Sequence, residues 1–300
     1  MTDMTDNKKS GFVAIIGRPN VGKSTLLNTM LGEKIAIVSK KPQTTRTSIT
    51  GILTEGDTQY VFIDTPGIHK PRTRLGDYMV KSAYSSISGA DVILFVVEAD
   101  SKPSPTEQNI VDRLKHQSAP VYLIINKTDA KTKEKLGQTI LDYSPLMDFT
   151  DVIPVSALKN EGVDIILSEI SRHFTEPRFF FPEDMITDQP ERQIAAEVIR
   201  EKILRLTDDE IPHGTAVTIE DFKEKKDLIS IRAEIFCEKP SHKGIIIGKN
   251  GETIKKIGTY AREDLEEFFG CRVFIDLWVK VKKNWRDSVA AAKNFGYTDD

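Results

Sequence analysis

Cysteine is scarce: among 300 residues only Cys237 and Cys271 occur, and neither has a second Cys or a His at metal-ligand spacing. The pair reads as two reduced, buried thiols of a reducing compartment, with one lone disulfide as the alternative. Long apolar runs are also missing. The longest, Val92 to Val97, falls far short of the roughly 20 residues that cross a bilayer, so no integral membrane insertion is expected. The N-terminal stretch MTDMTDNKKS is polar and lacks the apolar core of a secretion signal, so the expected location is cytoplasmic. A marked excess of either sign of charge is missing as well. A net charge of −3 supplies no general attraction to polyanions, and any nucleic-acid site has to arise from local clustering.

What is present suits two domains. The chain is 39% hydrophobic and 29% charged, the balance of a globular protein with a core in each half. From residue 11 to about 175, short apolar runs alternate with helical periodicity. Strand-like runs fall at Phe12–Ile16, Ile49–Thr54, Tyr60–Ile63, Val92–Val97, Val121–Ile125 and Val152–Val155, most of them unbroken aliphatic segments of the kind covered on both faces. Helices are expected at Ser24–Leu31, Pro105–His116 and Val163–Phe174. This alternation predicts an α/β doubly wound, mostly parallel sheet. Residues 1–10 read as a flexible N-terminus and 176–188 as a linker pinned at one end by the aromatic run Phe179–Phe181. From 189 to 300 the pattern shifts to half-buried alternating strands plus helices, a second, smaller α+β domain with a basic C-terminal segment.

Strand Phe12–Ile16 runs directly into Gly17-Arg18-Pro19-Asn20-Val21-Gly22-Lys23-Ser24-Thr25 and then an apolar helix. Gly-x4-Gly-Lys-Ser in this context is a phosphate-binding loop. Gly17 and Gly22 accept the backbone angles that turn successive amides inward, and the helix N-terminus adds positive potential. Lys23 is placed to neutralise β- and γ-phosphates, and Ser24 to ligate Mg²⁺. Two further strand ends carry polar motifs. Asp64-Thr65-Pro66-Gly67 follows Tyr60–Ile63, where Asp64 can hold Mg²⁺ through water and the Gly67 amide can sense a γ-phosphate. Asn126-Lys127-Thr128-Asp129 follows Val121–Ile125. Its aspartate can accept two hydrogen bonds from guanine that adenine does not offer, so a buried Asp129 would be left unsatisfied by ATP. Lys127 can lie along the base plane, and Ser156-Ala157 can donate a backbone amide to the guanine O6. Between the phosphate loop and Asp64, the polar segment Gln43–Thr47 is the expected first switch, with Thr45 completing the metal shell.

Taken together, GRPNVGKS, QTTRT, DTPG, NKTD and VSA, with a downstream GKNG, resemble the bacterial Era GTPase family over essentially the whole chain. The resemblance implies a GTP/GDP switch with Mg²⁺ that hydrolyses GTP, binds 16S rRNA and assists maturation of the small (30S) ribosomal subunit. It also implies a monomer, with peripheral association at the cytoplasmic face of the membrane. Lys23, Thr45, Gly67 and Asn20 are the residues expected to act in hydrolysis. Ile68 stands where Ras-like GTPases resemble one another in a glutamine that orients water, so slow intrinsic turnover is expected. Related GTPases with an asparagine in the loop use K⁺. Asn20 therefore either coordinates K⁺ or only shapes the loop.

The segment Lys243-Gly244-Ile245-Ile246-Ile247-Gly248-Lys249-Asn250-Gly251 lies between an aliphatic helix and a periodic one. It resembles a KH domain, whose Gly-x-x-Gly loop clamps about four nucleotides of single-stranded RNA. Ile245–Ile247 would form an apolar floor, and Lys249 would add charge. Lys280, Lys282, Lys283 and Arg286 form a second basic cluster beside Trp278 and Trp285, which either stack on bases or serve as packing. A GTPase whose C-terminal domain docks protein or membrane instead of RNA is the competing reading. A two-GTPase relative of the Der type is disfavoured by the single phosphate loop and the intact GKNG. A P-loop ATPase or small-molecule kinase is disfavoured by Asn126-Lys127-Thr128-Asp129.

Overall fold

The computed structural model describes residues 8–39, 41, 43–208 and 211–297. The chain divides into two compact units. The first runs to Ala36 and resumes at Thr45–Pro71 and Met79–Asp188; the second gathers Ile37–Thr44, Arg72–Tyr78 and the chain from Gln189 onward.

Among the described residues, six strands build the first unit: β1 (Lys9–Gly17), β2 (Ile49–Glu55), β3 (Thr58–Asp64), β4 (Val92–Glu98), β5 (Val121–Asn126) and β6 (Asp151–Pro154). Their order is β2-β3-β1-β4-β5-β6. β2 runs antiparallel to β3, and every other pair is parallel. The exception has a local cause: β2 and β3 are joined by a two-residue turn with Gly56 at φ 55°, a length that permits only a hairpin. β4 and β5 are buried along almost their whole length, which is why they read as unbroken aliphatic runs. The helices are α1 (Lys23–Leu31), α2 (Arg74–Ser85), α3 (Pro105–Leu114), α4 (Lys133–Tyr143) and α5 (Val163–Ile170).

Several boundaries depart from expectation. The N-terminal stretch to residue 10 is not wholly free, because β1 begins at Lys9 and pairs there with Thr58. Residues 1–7 of that expectation lie outside the described residues. α3 stops at Leu114 instead of His116, and α5 gives way to a single 3₁₀ turn at Ser171–His173 before Phe174. Phe174 leaves the helix to cover Gly11, where an added Cβ would lie 2.1 Å from its ring. α2 and α4 escape a periodicity reading because each carries an interior glycine, Gly76 and Gly137, and many polar residues. The stretch 176–188, read as a linker, falls within the first unit. Ile52 N donates to Ile186 O at 2.8 Å, and Thr187 Oγ1 donates to Thr50 O at 2.7 Å. The buried Gln59 accepts from the amides of Phe180 and Phe181 at 2.9 and 3.0 Å.

The second unit contains α6 (Glu191–Leu206), β7 (Ala216–Lys225), β8 (Leu228–Cys237), α7 (Pro240–Ile247), α8 (Glu252–Phe269), β9 (Arg272–Val281) and α9 (Val289–Asn294). β7 pairs antiparallel with β8, and β8 pairs parallel with β9. One sheet face, carrying Ile229, Ile231, Ala233, Ile235, Val273 and Val279, packs in a single core with Ile199, Ile203, Ile257, Ala261 and Leu265 of α6 and α8. Both cysteines are free.

Charged residues buried on α6 are paired. Lys202 Nζ bonds Glu201 Oε2 at 2.8 Å and reaches Asp264, and Glu201 Oε1 accepts from Val38 N at 2.9 Å. Arg200 donates to Thr44 O. The two tryptophans divide. Trp285 is fully buried, with Nε1 donating to Gly214 O at 2.9 Å and Phe295 meeting its ring at right angles, so it is packing and not a stacking platform. Trp278 is 58% exposed.

Truncating Trp285 removes a large core side chain and orphans the Gly214 carbonyl. Trp285→Ala is expected to cost about 3–5 kcal/mol, measured by denaturant unfolding with fluorescence of the remaining Trp278.

Candidate nucleotide site and glycine loop

Parallel strands deliver their carboxyl ends side by side, and the order reverses beside β1, which is flanked by β3 and β4. Gly17, Asp64, Glu98 and Asn126 end β1, β3, β4 and β5 there. Three predicted motifs are thus brought to one edge by topology alone.

The phosphate loop leaves β1 through Gly17 and enters α1 through Gly22, which has φ 100°. A Cβ on Gly22 would sit 2.2 Å from Asn126 Nδ2, so glycine is required for space as well as for conformation. Val21 is buried, whereas Asn20 is exposed with φ 65°. Lys23 is buried, its Nζ donating to Gly17 O at 3.2 Å and Arg18 O at 3.0 Å. Burial lowers its pKa to about 8, opposed by the nearby Asp64 carboxylate. Thr25 follows Ser24 in the first turn of α1, where its carbonyl accepts from Thr29 Oγ1 at 2.9 Å.

Oxygen donors gather beside Lys23. Ser24 Oγ donates to Asp64 Oδ2 at 2.6 Å and lies 2.9 Å from Thr45 Oγ1. Asp64 is fully buried, and burial pushes its pKa up to about 6 despite the opposing Lys23 charge and neighbouring hydroxyls. Its Oδ1 has no hydrogen-bond partner. A buried carboxylate oxygen without a donor is costly unless a cation meets it. Two hydroxyls and a carboxylate are hard oxygen ligands of the kind Mg²⁺ takes, so the residues fit that ion. The set contains one carboxylate only, and no group of three His, Cys, Asp or Glu suited to a metal occurs among the described residues.

Beyond Asp64, Thr65 Oγ1 donates to Ile15 O at 2.8 Å and fixes the turn into Pro66. Gly67 lies against the phosphate loop: a Cβ there would be 2.6 Å from Pro19 Cα. Ile68 N donates to Gly17 O at 3.0 Å, and its side chain is buried with Ile16 and Phe95. Ile68 is thus a core residue without a polar atom to orient water.

At the base-reading end, Asn126 spends its carboxamide on the protein. Nδ2 donates to Val21 O at 2.9 Å, while Oδ1 accepts from Ala157 N at 3.0 Å and Lys127 N at 2.8 Å. Asp129, expected to be buried, is partly exposed in the middle of a short 3₁₀ turn, and its Oδ1 accepts from Ser156 Oγ at 2.6 Å. Lys127 has φ 65° and pairs with Glu98 Oε2 at 3.0 Å. Sequence reasoning missed Thr29, whose hydroxyl donates to Ala157 O at 2.7 Å, and both Glu98 and Glu107. Glu107 alone had a legible signal, the Ser104-Pro105-Thr106-Glu107 capping box of α3.

In the second unit, α7 ends at Ile247 and a 3₁₀ turn, Lys249–Gly251, leads into α8. Gly248 has φ 76°, and a Cβ there would lie 2.3 Å from Thr253 Oγ1. Asn250 and Gly251 are also left-handed, at φ 53° and 78°. Gly244, Lys249 and Asn250 are exposed, and Lys243 lies on the same helix end at α7. Of the expected apolar floor, Ile245 is exposed and Ile247 half-buried, but Ile246 is fully buried in the core. Lys280 pairs with Glu234 and lies, with Phe274 and Trp278, on the β9 face opposite Val273 and Val279. Lys282 sits 4.7 Å over the Phe295 ring, and Lys283 is exposed.

A family model described as 50S ribosome-binding GTPase matches residues 12–127, and a KH domain model matches residues 210–286. The GTPase Era of Ruminiclostridium cellulolyticum is 56% identical over 290 residues, covering 96% of this chain and 97% of the relative. That of Clostridium kluyveri is 52% identical, covering 96% and 99%. The chain belongs to the Era family of GTPases. Solved Era structures agree at full length. A point variant of Aquifex aeolicus Era bound to GDP·AlF₄⁻ superposes with a TM-score of 0.93 at 40% identity, covering 97% of this chain and all of that one. An Era structure in complex with MgGDPNP and nucleotides 1506–1542 of 16S ribosomal RNA gives the same score, identity and coverage. As an Era-family GTPase the chain hydrolyses GTP, and its fold is a P-loop α/β domain followed by a KH domain.

Asp64 supplies a pH test of the nucleotide-free site. Its folded pKa of about 6 lies above the ordinary 3.8, so the folded state holds the extra proton, and this contribution is lost as pH rises from about 4 through 6. The stability difference between wild type and Asp64→Asn should therefore fall by on the order of 2–3 kcal/mol across that window, measured by thermal unfolding without Mg²⁺.

Proposed function

We propose that this GTPase binds the 3′ region of 16S rRNA through its KH unit and assists maturation of the small ribosomal subunit under control of its nucleotide state. The full-length similarity to an Era protein bound to nucleotides 1506–1542 of 16S ribosomal RNA carries this reading. The 50S description belongs to a model that matches residues 12–127 only, whereas the 16S complex is matched across both units. The backbone of Gly248–Gly251 supports the same conclusion. Left-handed angles and missing side chains let phosphates approach closely, and α8 starts at that loop with no side-chain cap on its N-terminus.

In this reading, amides of the loop from Gly17 to Thr25, Pro19 excepted, surround the phosphates and Lys23 transfers its bonds from Gly17 O and Arg18 O to phosphate oxygens. Its lowered pKa of about 8 still leaves it charged at neutral pH. Ser24, Thr45 and Asp64 hold Mg²⁺, which when bound neutralises charge developing on the β- and γ-phosphate oxygens. Gly67 donates its amide to the γ-phosphate. Loss of that bond releases Thr45 and Gly67 together. Asp129 reads guanine, Lys127 covers its plane, and Ala157 N, held by Asn126 Oδ1, shares its proton with the guanine O6. Asn20 contributes loop shape through its left-handed backbone, and its side-chain oxygen is a candidate K⁺ ligand. The chain acts as a cytoplasmic monomer. No helix among the described residues is long and apolar enough to cross a membrane, so any association through those residues is peripheral.

Filter binding of a 16S 3′-terminal fragment separates this reading from a KH unit that docks only protein or membrane. Gly248→Asp should weaken binding at least about tenfold relative to wild type, since it adds strain and a negative charge at the loop, and Lys249→Glu should act in the same direction. Equal affinity of wild type and both variants would contradict an RNA-clamping loop.

A further inference from the structure

The connection between β4 and α3 begins at Glu98 and ends at Glu107, and each carboxylate reaches a cation of the nucleotide site. Glu98 pairs with Lys127, and Glu107 Oε1 lies 2.8 Å from Arg18 Nε. Their surroundings differ. The Glu98 side chain is 36% exposed, whereas Glu107 is fully buried. Ser101 ties the connection together, its hydroxyl donating to Glu98 O at 2.6 Å and lying 3.1 Å from the Tyr143 hydroxyl.

Glu107 closes the capping box of α3: Ser104 N and Ser104 Oγ donate to its Oε2 at 2.8 and 2.7 Å. Capping needs one oxygen and is served equally by glutamine. It therefore explains neither the burial of a full charge nor the direction of the second oxygen. A buried carboxylate persists when a cation compensates it, and Arg18, the second residue of the phosphate loop, stands at that second oxygen. The backbone of Arg18 in turn carries the site. Its carbonyl holds Lys23 Nζ at 3.0 Å, and the next residue, Pro19, is the surface against which Gly67 rests.

We propose that Glu107 is a positioning residue for the phosphate loop: through Arg18 it fixes the backbone that docks Lys23 and backs Gly67, without touching the nucleotide itself. This goes beyond the site assigned above but rests on it. Glu107→Gln keeps the capping acceptor and the shape while removing the charge that holds Arg18. The loop then samples positions in which its amides no longer converge, and nucleotide is lost faster.

The test is stopped-flow dissociation of GDP and IDP, run well below the unfolding temperature of each full-length variant. Glu107→Gln is expected to speed dissociation of both about tenfold and to leave the GDP-to-IDP ratio unchanged, because the Asp129–Ser156 bond is untouched. Arg18→Gln should do the same, and the double variant should be no worse than either single one. Dissociation within about twofold of wild type in a folded Glu107→Gln, or additive effects in the double variant, would overturn the proposal. Should Glu107→Gln fail to fold, Arg18→Gln decides, since that side chain is already 33% exposed; an unchanged rate there overturns it equally. Failure of the wild-type chain to hold GDP would overturn the nucleotide site itself and the positioning role with it.

Discussion

One carboxamide holds the nucleotide site together. Asn126 bonds the carbonyl of Val21 in the phosphate loop, the amide of Ala157 in the loop after β6, and the amide of Lys127 beside it. Three segments far apart in sequence are thereby stitched at one buried point. The site has no comparable covalent restraint, and loops of this kind lose considerable conformational entropy when ordered. Gly22 follows from the same constraint, since any side chain there would occupy the place of Asn126 Nδ2. In the proposed function, guanine recognition through Asp129 and phosphate recognition through the loop amides require the two loops to hold a fixed separation, which this side chain sets.

Around that point the chain stores electrostatic tension that its ligands relieve. Lys23 and Asp64 are both buried, and burial moves both pKa values toward neutrality, to about 8 and about 6. In the proposed function each is a charge taken from water before its partner arrives: phosphate for the lysine, a divalent cation for the carboxylate. Such preorganisation would lower the reorganisation required on binding and, in that reading, give the γ-phosphate contact its leverage over Thr45 and Gly67. Ile68, packed into the core, leaves the site without a polar side chain at the position that follows Gly67. That is consistent with a switch that hydrolyses slowly by itself.

Much of this was legible in the sequence, for identifiable reasons. Parallel strands buried on both faces write themselves as aliphatic runs, and glycine–lysine–serine spacing is dictated by phosphate geometry, so β1, β4, β5 and the phosphate loop stand out. The α+β character of the second unit followed from its half-buried, alternating strands. The interior glycines of α2 and α4 hid those helices. Long-range pairing hid the rest. Nothing near Arg18 announces Glu107, and nothing near Trp285 announces the carbonyl of Gly214, because those contacts are created by the fold. The burial of Ile246 and the face that Lys280 occupies were likewise beyond a count of charges, since position on the helix decides the first and strand alternation the second.

The most direct test of this account is the GDP affinity of Asn126→Asp, which preserves size but cannot donate to Val21 O. Isothermal titration is expected to show binding weakened by about a hundredfold while the variant remains folded by circular dichroism. Wild-type affinity in a folded Asn126→Asp would contradict the claim that this side chain joins the loops into one site.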